Sequence, residues 1–224
     1  MEERTISQAS VAGLSELETS KVLRNTYMLL GMTLAFSAAC AGAAVTMGVG
    51  YMSPWIFLIG VFGLSFLVHA TANSGFGIIA AFLMTGFIGF FVGPVIEMVT
   101  QVPHGAAAVM NALGLTAFAF IGLSGYALVT KKDFSFMTGF INVGLWIMLG
   151  AIILGLIFDL GALRLAISAG IVLLMSALIL WQTSAIVHGG ETNYIRATVT
   201  LFMSIYNLFM SLLHLFMAFG GGDD

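Results

Sequence analysis

The residues of this chain with side chains able to do chemistry gather in one run, Trp181 to Phe219, read as WQTSAIVHGGETNYIRATVTLFMSIYNLFMSLLHLFMAF. Two apolar segments meet there at a polar turn formed by His188, Gly189, Gly190, Glu191, Thr192 and Asn193, with Arg196 just beyond it. The second segment carries Ser204, Asn207 and His214 into lipid depth. A strongly polar side chain at that depth is costly enough to count as a functional candidate. His69, Gln182, Ser204 and Asn207 all fall toward the same end of their segments and form a candidate polar gate or pore. Glu97, Asp159 and Arg164 fall near the opposite ends, where snorkelling and interfacial solvation account for them.

The chemistry open to these residues is narrow. His188 and Glu191 supply two ligands on a glycine turn, too few for a zinc site, and there is no HExxH, GxxxxGK[ST] or GxSxG. No carboxylate pair sits at membrane depth to perform hydrolysis. Cys40 is the single cysteine, so no internal disulfide and no multi-cysteine metal site can form. The expectation is no catalytic residue, no cofactor, no metal and no enzymatic activity. Ser204 can satisfy itself against the carbonyl four residues back, whereas Asn207 calls for a partner on another helix. His214 reads as a contact within the bundle, and His69 as an interfacial histidine with a single hydrogen bond.

The elements that must position these residues follow from composition. With 60% hydrophobic and 8% charged residues and a mean hydropathy of +1.08, the chain cannot cover a globular surface with charge, and an all-α membrane bundle is expected. The apolar stretches predict seven spans: about 24–47, from Pro54 to 69–73, Phe76 to about Met98, Gly105 to Val129, Phe134 to Phe158, Leu163 to Ile186 and Tyr194 to Phe219. Residues 1–20 read as a mobile cytoplasmic tail, 21–219 as one seven-helix transmembrane domain, and 220–224 as a short C-terminal tail. Ala35, Ala39 and Ala43 form a small-residue stripe for close helix contact, Gly89 and Gly93 a GxxxG, and Pro94 a predicted kink. Such stripes serve packing within and between chains alike, so no oligomeric state follows from them. Lys21, Arg24, Lys131, Lys132 and Arg196 fall on one side and Arg164 alone on the other, which predicts a cytoplasmic N-terminus and a C-terminus outside. No basic surface points to nucleic acid; the lipid bilayer is the expected partner.

Several segments together resemble the Bax inhibitor-1 (TMBIM) family, within it the bacterial YccA-like branch. They are KVLRNTYMLLGMTLAFSA (Lys21 to Ala38), TAN (Thr71 to Asn73), TGFIGFFVGPVI (Thr85 to Ile96), KKDFSFM (Lys131 to Met137), LAISAGIVLL (Leu165 to Leu174) and QTSAIVHGGETNYIRAT (Gln182 to Thr198). The resemblance implies a seven-helix fold in the bacterial inner membrane, with a cytoplasmic N-terminus and a periplasmic C-terminus. It also implies an interaction with the membrane-anchored AAA+ protease FtsH, whose activity relatives modulate. The polar tail would then be a handle for that protease. The alternative it implies is a pH-sensitive calcium leak, which in the family rests on two aspartates and a basic residue. Those aspartates align with Gln182 and Ser204, and the basic residue with the neighbourhood of His69. Neither replacement can release a proton near neutral pH or offer a calcium ion an anionic oxygen, so that chemistry cannot run here unchanged.

Overall fold

A computed structural model of the chain describes the backbone of residues 2–161 and 163–220, with side-chain surroundings from Leu17 onward. Its helices are α1 (Glu2–Thr46), α2 (Pro54–Thr71), α3 (Phe76–Thr100), α4 (Gly105–Thr130), α5 (Thr138–Ile157), α6 (Leu163–Val187) and α7 (Tyr194–Gly220). A 3-10 turn over Ser135–Met137 leads into α5, so α5 starts four residues later than the apolar run does. All seven helices are long and apolar enough to cross a bilayer, the crossing part of α1 beginning at Leu17. Helices span lipid because they satisfy their backbone hydrogen bonds internally.

Local sequence sets the boundaries. Pro54 sits at the first turn of α2, where its missing N–H costs nothing. Lys131, left-handed at φ 50°, ends α4 by donating its N–H to the Ala127 carbonyl. α3 continues through Pro94 without a break. The amino-terminal segment expected to be a mobile tail takes a helical backbone from Glu2 and runs straight into the first span. Its four Glu residues are strong helix formers, and it has no Pro to stop the helix. Of the predicted C-terminal tail only Gly220 is described; residues 221–224 lie outside the described residues.

α3 and α7 are the most buried spans and occupy the middle, α7 touching α1, α4, α6 and α3. α1 lies closely along α3. A Cβ added at Gly89 would stand 2.1 Å from the Ser37 carbonyl oxygen, and one at Gly93 would stand 2.4 Å from that of Ala41. The GxxxG is therefore a real contact, but its partner is not the predicted stripe. Ala35, Ala39 and Ala43 are exposed, while Ser37, Ala41 and Ala44 meet α3. α1 carries small residues on more than one side, so size alone did not select the face. α5 packs on α6 and little else.

Gly89→Ala is expected to force α1 from α3 and lower stability by about 1–3 kcal/mol, the usual penalty of overpacking. Gly63→Ala, made where a Cβ meets nothing, should not do so. Thermal unfolding of the two variants in detergent, side by side, checks this; equal melting temperatures would overturn the contact.

Candidate functional site

The polar turn between α6 and α7 is the hub of one end of the bundle. α6 closes in a Schellman motif: Gly189, at φ 73°, donates its N–H to the Ile186 carbonyl at 3.1 Å, and Gly190 donates to Ala185 at 2.8 Å. α7 is then opened by Asn193, whose Oδ1 accepts the N–H groups of Ile195 and Arg196 at 3.0 and 3.1 Å. Glu191 braces that cap from below, its Oε1 accepting the Asn193 N–H at 2.8 Å and lying 3.4 Å from the Arg196 guanidinium.

The same two residues types that shape the turn also reach outward. Asn193 Nδ2 donates to the Ala72 carbonyl at 2.8 Å and to Asn73 Oδ1 at 2.9 Å, fastening the turn between α2 and α3. On the other side His188 Nε2 lies 3.0 Å from the Lys131 carbonyl. Ser184, one turn earlier on α6, donates to the Lys132 carbonyl at 3.0 Å and accepts the Phe134 N–H at 3.1 Å. Three connections that are far apart in sequence, including the TAN, KKDFSFM and HGGETN segments, are thus tied together. Within the α4–α5 connection the Ser135 N–H, 2.8 Å from Asp133 Oδ1, holds the Asp133 carboxyl below its ordinary range, with His188 adding to the effect.

Beneath this rim the four candidate gate residues separate. Gln182 is 3% exposed and its Nε2 has no hydrogen-bond partner among the described residues. Ser204 is fully buried and donates to the Thr200 carbonyl at 2.8 Å, as its spacing predicts. His69 is exposed and bonds within α2, Nδ1 to the Ser65 carbonyl at 2.8 Å. Asn207 corrects an expectation: it does not take a partner on another helix but donates to the Met203 carbonyl of α7 at 2.8 Å. Its side chain lines a mainly apolar groove of about 390 Å³ between α2, α5 and α7. The interior polar network instead uses residues that the sequence reading passed over. Thr183 of α6 lies 3.2 Å from the Tyr27 hydroxyl and 3.5 Å from that of Ser124, and Thr198 donates to the Thr26 carbonyl at 3.2 Å. Only their place within the QTS and IRAT segments signalled them. At the opposite end His214 meets Ser168 Oγ at 2.8 Å, the bundle contact its position predicts. Among the described residues no group of three or more His, Cys, Asp or Glu could hold a metal ion.

A family profile described as inhibitor of apoptosis-promoting Bax1 matches residues 19–221. The chain is 48% identical over 216 residues to an uncharacterized protein of Pseudomonas aeruginosa, covering 96% of this chain and 97% of that one. It is 47% identical over 193 residues to the modulator of FtsH protease YccA of Escherichia coli, covering 86% and 88%. An uncharacterized membrane protein of Vibrio cholerae is 41% identical over 192 residues, covering 85% and 86%.

The two duties of Asn193 can be separated. Asn193→Asp keeps the cap but loses the outward donor, so amide exchange should speed up in the α2–α3 turn while the first turn of α7 stays protected. Asn193→Ala should lose both and cost roughly 1–2 kcal/mol. Hydrogen exchange followed by mass spectrometry reads the difference; unchanged protection at Ala72 and Asn73 in both variants would count against the tie.

Proposed function

This chain belongs to the Bax inhibitor-1 family, and from that membership we propose that it is a multi-pass inner-membrane protein that binds and modulates the FtsH protease in membrane-protein quality control. The observation that carries the reading is the 47% identity, over most of both chains, to the Escherichia coli modulator of that protease. The family and that relative favour a membrane modulator over an enzyme. The described geometry is compatible with it, because Tyr27, Ser124, Gln182, Thr183 and Thr198, the polar groups that meet between α1, α4, α6 and α7, are neutral hydroxyls and an amide that serve packing. A tightly packed bundle suits a protein that engages an extracting protease and resists being pulled apart. The polar segment 1–20 is the proposed handle, with an N-terminus in the cytoplasm and a C-terminus in the periplasm. Lys21, Arg24, Lys131, Lys132 and Arg196, carried at the α6–α7 end of the bundle, support that orientation.

The test is copurification of the full chain with FtsH from membranes, together with the lifetime of the protein before and after removal of residues 1–20. Recovery of the protease and a longer lifetime for the truncated chain are expected. Failure of copurification combined with unchanged turnover sinks the reading.

A calcium leak is the competing activity. A divalent cation takes anionic oxygen ligands, and Gln182 and Ser204 supply none. Proteoliposomes of the unaltered chain should show little acid-dependent calcium flux, and Gln182→Asp combined with Ser204→Asp should raise it. Robust flux from the unaltered chain would make the leak the better reading.

A further inference from the structure

We propose that His188 is a proton-operated clasp between the end of α6 and the α4–α5 connection, closed when its ring is charged and slackened when it is neutral. The inference rests on hydrogen-bond geometry and not on the protease reading. His188 Nδ1 lies 2.9 Å from the Ser184 carbonyl oxygen, and Nε2 lies 3.0 Å from that of Lys131. A carbonyl oxygen can only accept. A neutral imidazole has one N–H and one bare nitrogen, so both bonds exist together only in the imidazolium.

Loss of the proton therefore breaks something specific. If the remaining hydrogen stays on Nδ1, the bare Nε2 faces the Lys131 oxygen and that tie to the α4–α5 connection is lost. If it stays on Nε2, the bare Nδ1 faces the Ser184 carbonyl and loses that bond to α6, and the nearest protein donor is the Ser184 hydroxyl, 3.3 Å away. That hydroxyl has a single hydrogen, which now goes to the Lys132 carbonyl at 3.0 Å. Either arrangement gives up one of the ring's two anchors, to the α4–α5 connection or to α6. The connection begins at Lys131, a non-glycine residue held in the left-handed region at φ 50°.

The ring is reachable by protons. His188 is exposed and stands in the wall of a cavity of about 530 Å³ between α1, α4 and α6, beside Lys131 and Gly189. The charged groups around it are mixed. On the α4–α5 connection Asp133 favours the charged ring and the exposed Lys131 and Lys132 oppose it. α1 presents Thr19, Ser20 and Leu23 to the cavity, none of them ionisable, with Glu18 and Lys21 flanking them in sequence. On its own turn Glu191 is engaged with Asn193 and Arg196. The sign follows from the bonds: the charged ring makes both, so the clasp tightens as pH falls and loosens as it rises.

The experiment uses the full chain in nanodiscs between about pH 5.5 and 8, the span over which imidazoles titrate. Nitrogen-15 NMR of labelled histidine, with the His188 signal assigned by its absence in His188→Gln, should show two protonated ring nitrogens in acid and one in alkali. Exchange of the Phe134 amide, corrected for its intrinsic pH dependence, should quicken on the order of tenfold over the same range, the loss of about one hydrogen bond to a charged group. In His188→Gln that extra pH dependence should vanish, while circular dichroism confirms intact helices. A ring with one proton throughout, or a Phe134 exchange rate without extra pH dependence in the unaltered chain, overturns the proposal.

Discussion

Hydrocarbon is the solvent for most of this molecule, and it offers neither hydrogen bonds nor a hydrophobic force to press one helix on another. Helices must then be held by shape in the middle and by polar ties at the ends. The middle is held where Gly89 and Gly93 bring α3 onto the backbone of Ser37 and Ala41. One end is held by Asn193, His188 and Ser184, which bond three connections into a single polar rim. α5 has little of either beyond its seat on α6 and a Trp181 to Thr138 bond at 2.9 Å, and it is accordingly the most lipid-exposed of the seven spans.

This division explains what could be read from the sequence. Span boundaries are legible because length and hydropathy mark them and because caps use specific residues: Pro54 opens α2, Gly189 closes α6 and Asn193 opens α7. Helix faces are not legible. In water an apolar stripe marks the buried side; in lipid both sides of α1 are apolar, and the Ala35, Ala39, Ala43 stripe looks as good a contact as Ser37, Ala41 and Ala44. Which small residues pack is decided by the partner helix, a long-range fact. Asn207 shows the same gap: the need of its amide in lipid was visible, but not that a turn of its own helix would meet it.

The site was half legible for a related reason. The residues of the rim stand out as polar islands, so TAN, KKDFSFM and HGGETN could each be singled out. That Asn193 reaches Asn73, 120 residues away, and that His188 reaches Lys131, 57 residues away, could not be read without the alternation of the spans bringing those turns to one end. Grouping His69 with Gln182 and Ser204 came from their similar depth, which says nothing of angle around the helix. The structure places His69 on the outside of α2 and the other two inside.

The interior beneath the rim holds Gln182, Thr183, Ser204, Thr198, Ser124 and Tyr27, none of which changes charge between about pH 5 and 8. A proton arriving from that end therefore finds nothing to titrate among them. The charged groups of this end lie higher, where Asp133 in the α4–α5 connection and His188 at the end of α6 act on each other through their charges. Placing the titratable chemistry on the rim rather than in the core separates two properties that a buried carboxylate pair would combine. At this end the packing beneath the rim rests on groups that stay neutral, while charge is confined to the surface that meets the aqueous phase.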